Sequence, residues 1–220
     1  MCKYTQFNHN KFQVHQLVYD LIEKNTKILD LGCATGYFGR KLAKKNVEIY
    51  GADVDAGAIN QARKYYKKVI QSDLNKLAIG SLPKQYFDYV LLLDVIEHLT
   101  NSKQLFKKIF KLINSNGKLI ISTPNILHIS VRYKFAFGKF QYEKHGILDE
   151  THVHFYTIAS LVSLIREMGY KIVNIIPSAD LGQVPFLGRF LRRIPQNIQF
   201  FLVKLSPNLL ATQFIVVCSS

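Results

Sequence analysis

Three cysteines among 220 residues, Cys2, Cys33 and Cys218, are too few and too scattered for a disulfide framework, and none forms a CxxC pair. A reducing cytoplasm is therefore the expected compartment. No uninterrupted apolar run approaches the ~18 residues of a membrane-spanning helix. The opening run Met1-Cys2-Lys3-Tyr4-Thr5-Gln6 has no apolar core of the kind a secretory signal needs. Internal repeats and low-complexity linkers are missing too. Acidic residues are scarce: 15 Asp and Glu stand against 29 Lys and Arg, a formal net charge of +14. After Asp180 there is no Asp or Glu at all. Such an excess suits an anionic partner, whether nucleic acid, a phosphorylated sugar or a membrane surface. Lysines that only solvate helix faces would give the same count.

What is present is a globular composition. Hydrophobic residues make up 48% and charged residues 20%, enough for one compact core and too apolar for wholesale disorder. The stretch from Lys27 to Gly39 has the most distinct local pattern. Ile28, Leu29 and Leu31 supply the apolar run of a buried strand. Gly32 and Gly36 permit a tight turn and a close backbone approach. A helix then begins near Tyr37, with its free N–H groups directed back at the turn. Asp30 stands at the carboxyl end of the strand, where open α/β sheets bind ligands, and a carboxylate there suits a cationic or amine-bearing group.

Strand and helix alternate through the rest of the chain. Helices are expected over 11–24, 37–45, 56–66, 102–113 and 157–168, with Asn116-Gly117 and Gly169 as stop signals. Strands are expected over 48–54, 69–73, 87–95, 118–122, 170–176 and 212–218. This alternation predicts a parallel sheet with helices on both faces. Two segments break the rhythm: an aromatic and basic lid at about 125–150, and a basic insertion at about 182–206. In the second, Phe186, Leu187, Phe190, Leu191 and Ile194 interleave with Arg189, Arg192 and Arg193, the outline of a basic amphipathic helix.

The motif Asp30-Leu31-Gly32-Cys33-Ala34-Thr35-Gly36 resembles the first motif of the class I S-adenosylmethionine (SAM) dependent methyltransferases. A nicotinamide-binding turn would need Gly-x-Gly, which this turn does not have. Asp94-Val95-Ile96-Glu97-His98-Leu99, Ser122-Thr123-Pro124-Asn125 and Gly146 to Thr157 resemble one branch of that superfamily. It holds the ubiquinone-biosynthesis O-methyltransferases and many small-molecule methyltransferases of glycan clusters. The resemblance implies a single Rossmann-like domain over 1–220: a seven-stranded, mostly parallel sheet with an antiparallel final strand. It implies SAM as cofactor, held by Asp30, Gly32, Cys33, Gly36, Asp53, Val54, Asp73, Leu74 and Asp94. Asp53 would take the ribose hydroxyls, while Asp55 caps the following helix. Asp73 would face the adenine amino group, with a turn aspartate ahead of Leu74-Asn75 as the alternative. Ala34 stands where the family usually has a third glycine. Its methyl group must narrow the approach or demand a different backbone angle.

Methyl transfer from a sulfonium needs alignment above all, and an alcohol or phenol acceptor must also lose a proton. His98 and His152 are the candidate bases. His152 and His154, alternating in an extended segment, would share a face. An acid-x-x-Glu-His arrangement with a later histidine binds metal in the small-RNA 3′-end 2′-O-methyltransferases. By that resemblance Asp94, Glu97, His98 and His152 are candidate divalent-metal ligands. The expected reaction is methylation of a small-molecule hydroxyl, with a glycan or lipid-linked precursor among the acceptors. An RNA ribose 2′-O-methyltransferase and a non-catalytic SAM-binding module are the alternatives. Contact with an anionic membrane surface is a further expectation.

Overall fold

The computed structural model describes residues 6–219; Met1–Thr5, with Cys2 and most of the N-terminal run considered above, lie outside the described residues, as does Ser220. The chain begins with α1 (Val14–Leu21), β1 (Lys27–Leu31), α2 (Tyr37–Leu42), β2 (Glu48–Asp53), α3 (Ala56–Ala62) and β3 (Lys68–Gln71). It continues with β4 (Phe87–Leu93), α4 (Ser102–Leu112), β5 (Ile113–Pro124), α5 (Ile129–Ala136), α6 (Ile158–Glu167) and β6 (Lys171–Ala179). It closes with α7 (Gly188–Leu191), α8 (Gln196–Leu205), α9 (Pro207–Leu210) and β7 (Ala211–Ser219).

The strands form one sheet in the order β3-β2-β1-β4-β5-β7-β6. Pairing is parallel from β3 to β5, and β7 runs antiparallel between β5 and β6. Alternating residues of each strand feed two cores. Leu29, Leu31, Val90, Leu92, Leu119 and Ile121 pack beneath α4 and α6. Ile28, Tyr89, Leu91 and Ile120 pack beneath α1, α2 and the end of α3. With both faces covered, the strands read as continuous apolar runs, as a central parallel sheet requires.

Three elements depart from the sequence reading. α4 runs straight into β5 at Ile113, and Asn116-Gly117 lies inside that strand instead of ending the helix. A Cβ on Gly117 would sit 2.8 Å from the Phe87 carbonyl, so glycine here serves sheet packing. The lid is not structureless: it contains α5, capped by His128, whose side chain accepts from the Ser130 N–H. The 182–206 segment is not one amphipathic helix. Pro195 separates α7, a single turn that carries Arg189, from α8. α8 lies on the sheet edge with Val203 buried beside Phe12 and Phe214, and exposes Ile198, Phe201 and Leu205 on its outer side.

Candidate active site

Strand order reverses between β1 and β4, which opens a cleft at the carboxyl ends of the strands. The turn after β1 forms one side of it. Gly32 adopts φ +87°, and a Cβ there would collide with Val95 from the loop after β4. Ala34 is also left-handed, at φ +47°, and its N–H donates to Asp53 Oδ2 at 2.8 Å. The irregular position of the motif therefore takes the unusual backbone angle, at a cost of about 1 kcal/mol for an L-residue. Asp53 also accepts from the Asp55 N–H at 2.9 Å, which leaves further lone pairs toward the cleft. Asp55 caps α3 by accepting from Ala58, as the sequence indicates.

A cavity of about 300 Å³ is lined by Gly32, Ala34, Tyr37, Asp53, Val54, Ser72, Asp73, Leu74, Asn75, Leu93, Asp94, Val95, His98 and Leu99. Six of the nine residues expected to hold SAM are among them. Asp73 does double duty, since it also accepts from the Asn75 N–H at 2.9 Å and fixes the turn below. Asp30, Cys33 and Gly36 do not line the cavity. Cys33 is buried, and a Cβ on Gly51 would sit 2.9 Å from its sulfur. Gly36, at φ +76°, packs on Ala62 of α3.

Asp30 is buried and accepts a 2.5 Å hydrogen bond from the Tyr66 hydroxyl. The Tyr66 ring occupies a slot left by Gly36, Gly39 and Gly51, where a Cβ at any of the three would press on it. Burial raises the Asp30 carboxyl to about 7, against the lowering effect of the Tyr66 bond. Its place is beneath the glycine turn, as a brace.

A second cavity, of about 360 Å³, adjoins the first; its walls include His15, Asp94, Glu97, His145, Ile147, His152 and Gln213. Asp94 lines both. It stands at φ +55°, and its carboxylate accepts from Ser122 Oγ at 2.7 Å and from Gln213 Nε2 at 2.8 Å to each oxygen. Asp94 is thus held by β5 and β7, apart from the group formed by Glu97, His98 and His152. In that group one ligand atom from each residue lies within 4.8 Å of the others.

The imidazoles are fixed in a particular way. His98 Nδ1 lies 3.0 Å from the Thr151 carbonyl and His152 Nδ1 lies 3.1 Å from the Ile147 carbonyl. Each Nδ1 must carry a proton to donate, so in the neutral ring the lone pair sits on Nε2. The rings meet edge to face at 4.8 Å. Burial lowers the His152 pKa and keeps the ring neutral. Glu97 is buried. Thr123 Oγ1 donates to its Oε2 at 3.1 Å, while Oε1 has no hydrogen-bond partner among the described residues. Burial, with Asp94 nearby, pushes the Glu97 carboxyl well above the usual range. His154 does not join His152: it is exposed, and its N–H donates to the Glu97 carbonyl at 3.1 Å.

His15 and Gln213 are site residues that sequence reasoning missed; His15 is the one on a helix. It projects from α1, and its Nδ1 accepts from the Asn8 N–H at 2.9 Å, while Nε2 lies 3.2 Å from the Tyr37 hydroxyl. Burial lowers its pKa, partly countered by Asp94. The available signal was a polar residue at helical spacing among apolar ones.

Sheet order and cleft together define the class I SAM-dependent methyltransferases, a class whose methyl donor is SAM. The chain belongs to the methyltransferase-domain family, whose model matches residues 6–175. A probable SAM-dependent methyltransferase of Mycolicibacterium smegmatis is 27% identical over 164 residues, covering 73% of this chain and 59% of that protein. A ubiquinone biosynthesis O-methyltransferase of Idiomarina loihiensis is 30% identical over 103 residues, covering 45% of this chain and 42% of that one. The chain thus spans about half the length of the curated relatives it matches. The crystal structure of a SAM-dependent methyltransferase from Archaeoglobus fulgidus aligns over 96% of both chains with a TM-score of 0.66 at 18% identity, a likeness of fold. No helix among the described residues is long and apolar enough to cross a membrane.

Proposed function

We propose that this chain binds SAM beside Gly32 and transfers its methyl group to a hydroxyl of a small-molecule acceptor in the adjoining cavity, a glycan or lipid-linked precursor being suitable. The observation that carries the reading is the wall the two cavities share at Asp94. A donor in one and an acceptor in the other would meet there, and in-line alignment is most of what methyl transfer needs. Asp53 would accept from the ribose hydroxyls; Asp73 and Leu74 would border the adenine. Asp30, Cys33 and Gly36 would act from below by shaping the turn. The two buried thiols, Cys33 and Cys218, suit a reducing cytoplasm.

The acceptor's proton would pass to a free Nε2 of His152 or His98. The same donor set suits a divalent cation: two imidazoles, oriented by backbone carbonyls, and one Glu97 oxygen without a partner among the described residues. Glu97, His98 and His152 would hold it, with Asp94 outside the ligand set. A bound cation would lower the acceptor's pKa.

Titration calorimetry with S-adenosylhomocysteine tests the donor cleft. Asp53→Ala should weaken binding about 10- to 100-fold, the worth of hydrogen bonds to a charged acceptor; unchanged affinity would remove the ribose assignment. Labelled methyl from SAM, followed into fractionated extract, tests the transfer. His152→Ala or His98→Ala should cost about 10²- to 10⁴-fold in rate. Indifference to both substitutions and to a chelator would remove base and cation together.

A further inference from the structure

The two insertions meet. Tyr133 of α5 packs its ring against Phe137 at 4.7 Å and against Phe186, just before α7, at 5.2 Å. Around that contact the apolar rings face water: Phe137 is 63% exposed, Phe186 86% and Phe190 66%. The surrounding charge is nearly all of one sign. Residues 129–145 and 181–206 hold eight Lys and Arg against the single Glu143, which is paired with Lys134. Exposed rings flanked by an excess of cations match an anionic bilayer, which takes rings at the acyl boundary and cations at the headgroups.

Beneath this rim lies a cavity of about 680 Å³, walled by Tyr133, Lys139 and Pro185 among others. It shares His145, Gly146, Ile147 and Gln183 with the cavity that holds Glu97 and His152. The walls are therefore continuous from the rim to the site proposed for methyl transfer.

We infer that Phe137, Phe186, Phe190 and their flanking cations dock this protein on an anionic membrane surface, and that its acceptor is an amphiphile drawn from that surface. The acceptor's polar end would enter the Glu97–His152 cavity, while its tail follows the cavity walled by Tyr133, Lys139 and Pro185 toward the bilayer. The substrate half of this inference rests on the methyl-transfer reading above; the docking half does not.

Co-sedimentation of the full chain with phospholipid vesicles tests it. Vesicles containing phosphatidylglycerol should retain the protein, and pure phosphatidylcholine vesicles should not. Phe186→Ser should lower partitioning about tenfold through lost apolar burial. Arg189→Gln should lower it about fivefold, and added salt should reproduce that loss. Both variants should keep the wild-type affinity for S-adenosylhomocysteine, which shows that they remain folded. Absence of binding to anionic vesicles at low salt would overturn the docking. So would equal binding to both vesicle types, or a concentration-dependent dimer that Phe186→Ser abolishes. If docking holds but labelled methyl never enters the lipid fraction while it enters water-soluble acceptors, the amphiphile assignment falls and methyl transfer stands. If vesicles bind but S-adenosylhomocysteine does not, the methyl-transfer reading falls and the docking surface stands.

Discussion

Asp30 and His128 place opposite pH dependences in one molecule. The Asp30 carboxyl stands at about 7 in the folded state against an ordinary 3.8. Between those values the folded chain binds the extra proton, so this contribution to stability is lost as pH rises. His128 is buried, with Nε2 lacking a partner among the described residues, and burial lowers it to about 4 from 6.5. Between those values the unfolded chain binds the extra proton, so its contribution is lost as pH falls, by about 3 kcal/mol across the window at ~1.4 kcal/mol per pH unit. Urea unfolding from pH 4 to 7.5 should therefore show Asp30→Asn losing stability more steeply toward acid than the wild type, and His128→Gln less steeply. Ala34→Gly should relieve the left-handed strain and change stability by no more than about 1 kcal/mol, because the freer unfolded chain offsets part of the gain. At this scale the place of the cleft was legible where acids follow strands: Asp53, Asp73 and Asp94 line one cavity. Asp30 was not, because strand position shows that a side chain is near a strand end but not which face it turns to. His15 was not, because only tertiary packing brings α1 over the cavity.

Among elements, the junction of β1, α2 and α3 depends on one aromatic ring. Tyr66 reaches Asp30 only because Gly36, Gly39 and Gly51 leave it a slot. Gly39→Ala should cost about 1–3 kcal/mol by overpacking. Combined with Tyr66→Leu, which removes the far end of the ring, the two losses should fall short of additive in a double-mutant cycle; strict additivity would show the slot to be unimportant. The strands were legible because burial on both faces makes them continuous apolar runs, as in Phe87–Leu93. α5 was not legible, since its apolar residues fall on no single face and its start rests on the His128 cap. The α4–β5 junction was hidden because Ile113 is an apolar residue at home in either pattern.

For the molecule as a whole, β7 closes the sheet. It pairs with β5 on one side and β6 on the other, and it buries Phe214, Ile215, Val216 and Val217. Four such side chains are worth about 6–12 kcal/mol, comparable with the ~5–15 kcal/mol of a whole domain. A chain ending at Leu210 should therefore elute as aggregate in size-exclusion chromatography, and a folded monomer would refute the account. The antiparallel placement came from resemblance and not from pattern, because an apolar strand carries no mark of its direction.

That last strand also has a consequence in time. A ribosome releases Gly32, Asp53, Asp73 and Asp94 before it releases β7, the one strand that β6 pairs with among the described residues. At ~5–20 residues per second, β6 waits several seconds for that neighbour. Thr212 and Gln213, which wall the second cavity, arrive with it, and Gln213 is a partner of Asp94. The glycine-turn side of the cleft is thus synthesised first and its far wall last, and β6 stays an open edge, exposed to wrong partners, until β7 arrives.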